Sequence, residues 1–151
     1  MDSWYWARGK SGDLTYIGAL LNLRKDRGNY KIPILMVSDK EELLVSEYGP
    51  EDLEFSLMDP YISNEIKNNE SPSQRFSLKS KKSNTELIFL SEHVIDETNL
   101  FDRGNVPWPI KNFFQLSTID PTYTRFLSKT ELKINENKIL GEGILEVMDL
   151  K

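Results

Sequence analysis

The stretch Arg125-Phe126-Leu127-Ser128-Lys129-Thr130-Glu131-Leu132-Lys133-Ile134 sets the architecture. Phe126, Ser128, Thr130, Leu132 and Ile134 occupy alternate positions, with Arg125, Lys129, Glu131 and Lys133 between them. That is the period of a strand with one packed and one wet face. Asn135-Glu136-Asn137 turns the chain and 138–148 returns, so the pair reads as a long antiparallel hairpin.

The same period recurs upstream in short runs separated by turn residues. The first run, 4–8, ends in Gly9-Lys10-Ser11-Gly12-Asp13. The next, 14–24, is apolar on both faces: Leu14, Tyr16 and Leu20 oppose Ile17, Leu21 and Leu23. Asp26-Arg27-Gly28-Asn29 makes a turn, and 31–38 contains Pro33, which cannot donate to a ladder and so predicts an edge or a bulge. Runs at 43–47, 53–57, 74–79 and 86–92 follow, with a polar loop expected over 63–73. Residues 93–123 show no clear period. Pro107-Trp108-Pro109 reads as rigid there, and a short helix is expected near 110–116. Irregular segments of this length in a compact domain commonly act as lids or plugs.

About nine short strands without a long amphipathic helix predict a sandwich or a barrel. Gly141 and Gly143 favour the barrel, because glycine inside a strand permits the bend by which a sheet curls. The expected fold is therefore all-β, a single antiparallel lipocalin-like barrel spanning 1–151.

The chain has 151 residues, 38% hydrophobic and 28% charged, enough to bury one core without staples. Its net charge of -5 argues against a nucleic-acid groove and against polybasic docking on lipid. There is no cysteine, so disulfides and thiolate chemistry are excluded. The aromatic, charged N-terminus does not read as a signal peptide, and the apolar run 32–37 is too short to span a bilayer. A cytoplasmic location without membrane insertion is expected.

A lone His93 excludes a multi-histidine metal site, and no nucleophile elbow, phosphate loop or dinucleotide fingerprint is present. Neither metal nor cofactor is expected. Asp13, Glu92 and Glu146 are the acids nearest apolar strand residues; each is read as structural, since acidic side chains mostly face water. No catalytic residue is assigned.

The candidate ligand-binding residues are aromatic. Trp4, Trp6 and Arg8 share one face of the first strand, and Tyr16 lies across the hairpin. If that face points inward, two indoles and a guanidinium line a cavity, where Arg8 can bind a carboxylate or stack on a tryptophan. The competing reading makes the tryptophans plain core and sends Arg8 to solvent. Trp108 is expected either to plug a barrel end or to anchor its loop. Burying ~300 Å² of apolar ligand at ~25 cal/mol/Å² yields roughly 7 kcal/mol gross. Association costs several kcal/mol of that, so tight binding needs a polar anchor such as Arg8 or Tyr16.

Both ends of the chain carry a family resemblance. Ser3-Trp4-Tyr5-Trp6-Ala7-Arg8 with Gly12-Asp13-Leu14-Thr15, and Arg125-Phe126-Leu127-Ser128 with Glu131-Leu132, Gly141-Glu142-Gly143 and Glu146-Val147-Met148, bracket nearly the whole sequence. In this order they resemble the C-terminal barrel of the hydroxyneurosporene synthase (carotenoid hydratase)/AttH-like family. The resemblance implies a lipocalin-like fold and, in most members, two barrels in tandem with a His- and Asp-containing segment at their junction. This chain reads as starting after that junction and has a single histidine. The Gly-x-Trp signature of secreted lipocalins is absent. The expected function is non-catalytic binding of a hydrophobic, lipid- or isoprenoid-type small molecule. The alternatives are half of a two-barrel enzyme acting on an isoprenoid or polyene, and a structural module in which two copies, or this barrel and a partner barrel, pair.

Overall fold

The computed structural model describes residues 1–63, 71–105, 107–110, 112 and 121–150. Nine strands follow in chain order: β1 (Ser3–Ser11), β2 (Leu14–Asn22), β3 (Lys31–Ser38), β4 (Leu43–Tyr48), β5 (Leu53–Pro60), β6 (Ser73–Ser80), β7 (Thr85–Asn99), β8 (Thr122–Ile134) and β9 (Asn137–Asp149). A single turn of 3-10 helix (Lys25–Arg27) precedes β3, and a short helix, α1 (Leu100–Arg103), follows β7. All pairings are antiparallel, in one sheet of order β4-β3-β2-β1-β9-β8-β7-β6-β5.

The expected all-β fold of nine antiparallel strands is present. The sheet curls so strongly that β3 packs against β5 and β6 across the interior. Its ladder ends at β4 on one side and β5 on the other, so the wall is completed by side-chain packing rather than by a closed ring of hydrogen bonds. Leu35 and Val37 of β3 meet Leu53, Phe76, Leu78 and Leu87 in one continuous core.

Three glycines explain the curl. Gly9, Gly143 and Ser128 are register partners across β1, β9 and β8, and Gly141 pairs with Thr130 one step along the same face. The rings of Tyr16 and Phe89 lie over these bare backbones, edge to face with centroids 6.2 Å apart. A Cβ at Gly143 would stand 2.6 Å from the Arg8 carbonyl oxygen and 2.7 Å from the Phe89 ring. The Tyr16 hydroxyl hydrogen-bonds Thr130, and Ser128 bonds Ser91 at 3.2 Å, so the polar groups on this inner face are partnered.

Several details differ from the sequence reading. The β1–β2 loop is only Gly12-Asp13, with Gly12 at φ 57, because Gly9, Lys10 and Ser11 continue the strand. Pro33 sits inside a strand paired on both sides, but β4 pairs only with residues 34–38, so no partner strand asks Pro33 for a donor there. Residues 93–99 belong to β7. Register shifts between Ser91 and His93 and between Val94 and Asp96 interrupt the alternation, which is why the sequence shows no period there. Of the helix expected near 110–116, residues 108–110 and 112 have helical backbone; 111 and 113–116 lie outside the described residues, as do 64–70 of the expected loop.

Three substitutions test this packing and its turn. Gly143→Ala forces apart backbone and ring atoms without slack and is expected to cost about 1–3 kcal/mol in urea unfolding. Gly12→Asn, at an open turn where asparagine accepts the left-handed conformation, should stay within about 1 kcal/mol of wild type. Burial raises the Tyr16 hydroxyl pKa, and the Thr130 hydrogen bond offsets this only in part. The folded chain thus keeps this proton longer than the unfolded one. Tyr16's contribution is complete below about pH 10 and is lost as pH climbs through the higher folded value. Tyr16→Phe should cost about 1 kcal/mol near neutrality, and its deficit against wild type should shrink in denaturation series run above about pH 10.

Candidate functional site

Strand register determines which side chains share the outer face. One row runs Asp96, Arg125, Glu146, Trp6, Ala19, Ile34, Tyr48 from β7 to β4. The row beside it runs His93, Leu127, Ile144, Arg8, Ile17, Met36, Ser46. A third, on the other side, runs Tyr123, Met148, Trp4, Leu21, Ile32. Antiparallel sheets commonly keep their second face polar. This one is apolar through much of β9, β1, β2 and β3.

The expectation that Trp4, Trp6, Arg8 and Tyr16 converge inside the barrel is corrected. Tyr5 and Ala7 point inward, at 7% and 0% exposure, so alternation places Trp4, Trp6 and Arg8 outside. Tyr16 is inward because the two-residue loop pairs it with Gly9 rather than with Arg8. Trp6 is 37% exposed, and the Arg8 side chain 60%. Trp108 is 73% exposed, so its indole is not inserted into a barrel end.

The outer face carries two neighbouring concavities. The larger, about 560 Å³, is a trough crossing from β8 to β4. Ile17, Met36, Leu43, Leu127 and Ile144 supply its apolar lining, Arg8, Lys10, Thr15, Ser38 and Glu142 its polar margin, and Gly9, Gly143 and Tyr16 its floor. Six strands at about 4.8 Å spacing make it roughly 24 Å long measured along the sheet. The Thr15 and Ser38 hydroxyls bond each other at 2.8 Å. The smaller concavity, about 370 Å³, lies between Trp4 and Trp6 with Met1, Leu21 and Glu146. Arg8 lines the first and Glu146 the second, and their ion pair at 4.0 Å marks the boundary.

Glu146 is the least exposed carboxylate of this boundary, its side chain 15% accessible. Burial first, then the interaction with neighbouring Glu146, lifts the Tyr123 pKa above the usual tyrosine range. Asp96 takes Arg103 at 3.1 Å and stands 4.0 Å from Arg125, the cross-strand partner of Glu146. Glu92 and Asp13 form surface pairs with Lys129 and Lys40, in keeping with structural roles. His93 is exposed opposite Leu127. Among the described residues no three metal-ligating side chains converge. The arrangement offers an apolar bed with a few fixed charges at one margin, suited to holding an amphipathic molecule.

The sequence signals for this face were the double-sided apolar run in β2 and the apolar run 32–37 that holds Met36; Leu127 and Ile144, each flanked by charged residues on its own face, gave none. Their shared row exists only through pairing.

No family model and no curated protein matches the sequence. Solved structures do match the fold. Kievitone hydratase from Nectria haematococca superposes with a TM-score of 0.63 at 10% identity, over 98% of this chain and 39% of its own. CghA gives 0.66 at 8% identity, over 99% and 41%. An AttH-type protein from Nitrosomonas europaea gives 0.57 at 10% identity, over 99% and 39%. The chain thus has the fold of one barrel found within these longer proteins, as the sequence resemblance implied, and spans about two fifths of their length.

Glu146 and Tyr123 furnish a direct test of the boundary geometry. The phenolate absorbance difference between wild type and Tyr123→Phe isolates this one tyrosine. Glu146→Gln should bring its titration part of the way back toward about pH 10, burial retaining the rest. An unchanged titration would mean that Glu146 does not act on the phenol.

Proposed function

We propose that the chain serves as one barrel of a two-barrel, hydratase-type assembly, its outer-face trough forming one wall of a site for an apolar, isoprenoid- or polyene-like substrate. The observation that carries this reading is the match of nearly the whole chain to about two fifths of kievitone hydratase and of CghA. The apolar rows across β9, β1, β2 and β3 support it, because a contiguous exposed apolar face marks a surface that something covers. A second barrel, either another copy or a separate polypeptide, would cover it and exclude water from the trough, where fixed charges act more strongly.

The same lining supports a second reading, a carrier that holds a hydrophobic guest without transforming it. Glu146 separates the two. Under the first, Glu146→Gln lowers turnover by the assembly; under the second it leaves guest retention unchanged and there is no turnover to lose.

The assembly is tested with a photo-crosslinking amino acid placed at Met36 in the trough or, as a control, at Lys79 on β6. In the native host, the Met36 position should capture a second copy or another lipocalin-like barrel, identified by mass spectrometry, and the Lys79 position should not. Absence of a barrel partner at Met36, or equal capture at both positions, overturns the reading.

A further inference from the structure

We infer that the trough selects amphipathic anions: a molecule whose apolar body lies along Ile17, Met36, Leu127 and Ile144 and whose carboxylate, or equivalent oxyanion, is held by Arg8 and Lys10. This deepens the proposed function and rests on its reading that the trough takes the substrate.

The lining of the trough carries more positive than negative charge. The chain as a whole carries -5, yet the trough is lined by two cations, Arg8 and Lys10, against one carboxylate, Glu142, a local balance of +1. Glu142 is the cross-strand partner of Lys10, which leaves Arg8 as the cation not matched within its own row of the lining. Glu146, 4.0 Å from Arg8, belongs to the neighbouring concavity, so within the trough Arg8 meets a guest with only Ile144 and Ile17 beside it in its row.

Arg8 also has donors to offer. The ion pair of Arg8 with Glu146 is 4.0 Å long, beyond hydrogen-bond distance, and the Arg8 side chain is 60% exposed. The guanidinium is oriented by a nearby carboxylate without its planar fork being consumed, the condition for bidentate capture of a carboxylate.

The two cations also stand beside the apolar row. Arg8 and Lys10 are two residues apart on β1 and so lie on one face, roughly 6.6 Å from each other along the strand. Arg8 is flanked in its own row by Ile144 and Ile17, with Leu127 and Met36 beyond them. An apolar body can therefore run along the row in either direction while its oxyanion stays at β1. The other polar pair at the margin, Thr15 and Ser38, spends one of its two hydroxyl protons on the bond between them and carries no charge to compete with Arg8.

The experiment is calorimetric titration of the intact chain with decanoate and with 1-decanol, which share a tail and differ in head group. Decanoate should bind at least tenfold more tightly. Arg8→Gln should reduce that preference to about threefold or less, with decanol binding unchanged, and Lys10→Gln should reduce it by a smaller factor. Ile17→Ser should weaken both ligands alike. Thermal unfolding of each variant within a few degrees of wild type shows that the fold is kept. Equal affinity for the two ligands, no binding of either, or a decanoate preference that survives both Arg8→Gln and Lys10→Gln overturns the inference. Crosslinking at Met36 can succeed in any of these cases, so the loss of anion selection and the loss of the two-barrel reading are separate results.

Discussion

Two aromatic rings lying on bare glycine backbone hold this molecule in shape. Gly9, Gly141 and Gly143 clear a shallow bed across β1 and β9, and Tyr16 and Phe89 fill it from β2 and β7. A side chain at any of the three would meet a ring or a neighbouring carbonyl oxygen, and the strands would have to separate. Because the bed is sunk, the rings pack close to the sheet and the sheet wraps tightly around them. The hydrogen bond from Tyr16 to Thr130 then fixes the ring with its one polar atom satisfied.

Tight wrapping has a consequence for the other side. With the inner face occupied by Tyr5, Ala7, Leu20, Leu35, Phe76, Leu145 and their neighbours, much of the barrel's interior is taken up by its own side chains. The two concavities beside Arg8 and Glu146 lie on the outer face. In this lipocalin-like architecture the larger of the two troughs lies on the outside, across β8, β9, β1, β2, β3 and β4. Leu127, Ile144, Ile17 and Met36 supply the apolar surface, and Arg8, Lys10 and Glu142 place charge at one margin of it.

Much of the architecture was legible from periodicity. The β8–β9 hairpin, the β6–β7 hairpin and the boundaries of β3 followed from alternation and turn residues, because a half-wet strand must repeat with period two. Alternation failed in the second half of β7. There, two register shifts let successive side chains fall on the same side, and residues 93–99 were read as irregular. Gly141 and Gly143 announced a bend but not its occupant, since nothing local ties them to Tyr16, more than a hundred residues earlier.

The candidate site divides along the same line. Trp4, Trp6 and Arg8 were correctly placed on a common face by the sequence alone, since neighbours two apart on a strand cannot do otherwise. Whether that face was inner or outer depended on a loop one way or the other: with Gly12-Asp13 as a two-residue turn, Tyr16 falls opposite Gly9 and the tryptophans face out. Local sequence determined strand identity, strand faces and the positions of the turns, all short-range properties of the backbone. Only tertiary pairing determined which face is interior and which distant residues share a row, because register is a relation between strands and is written in neither of them.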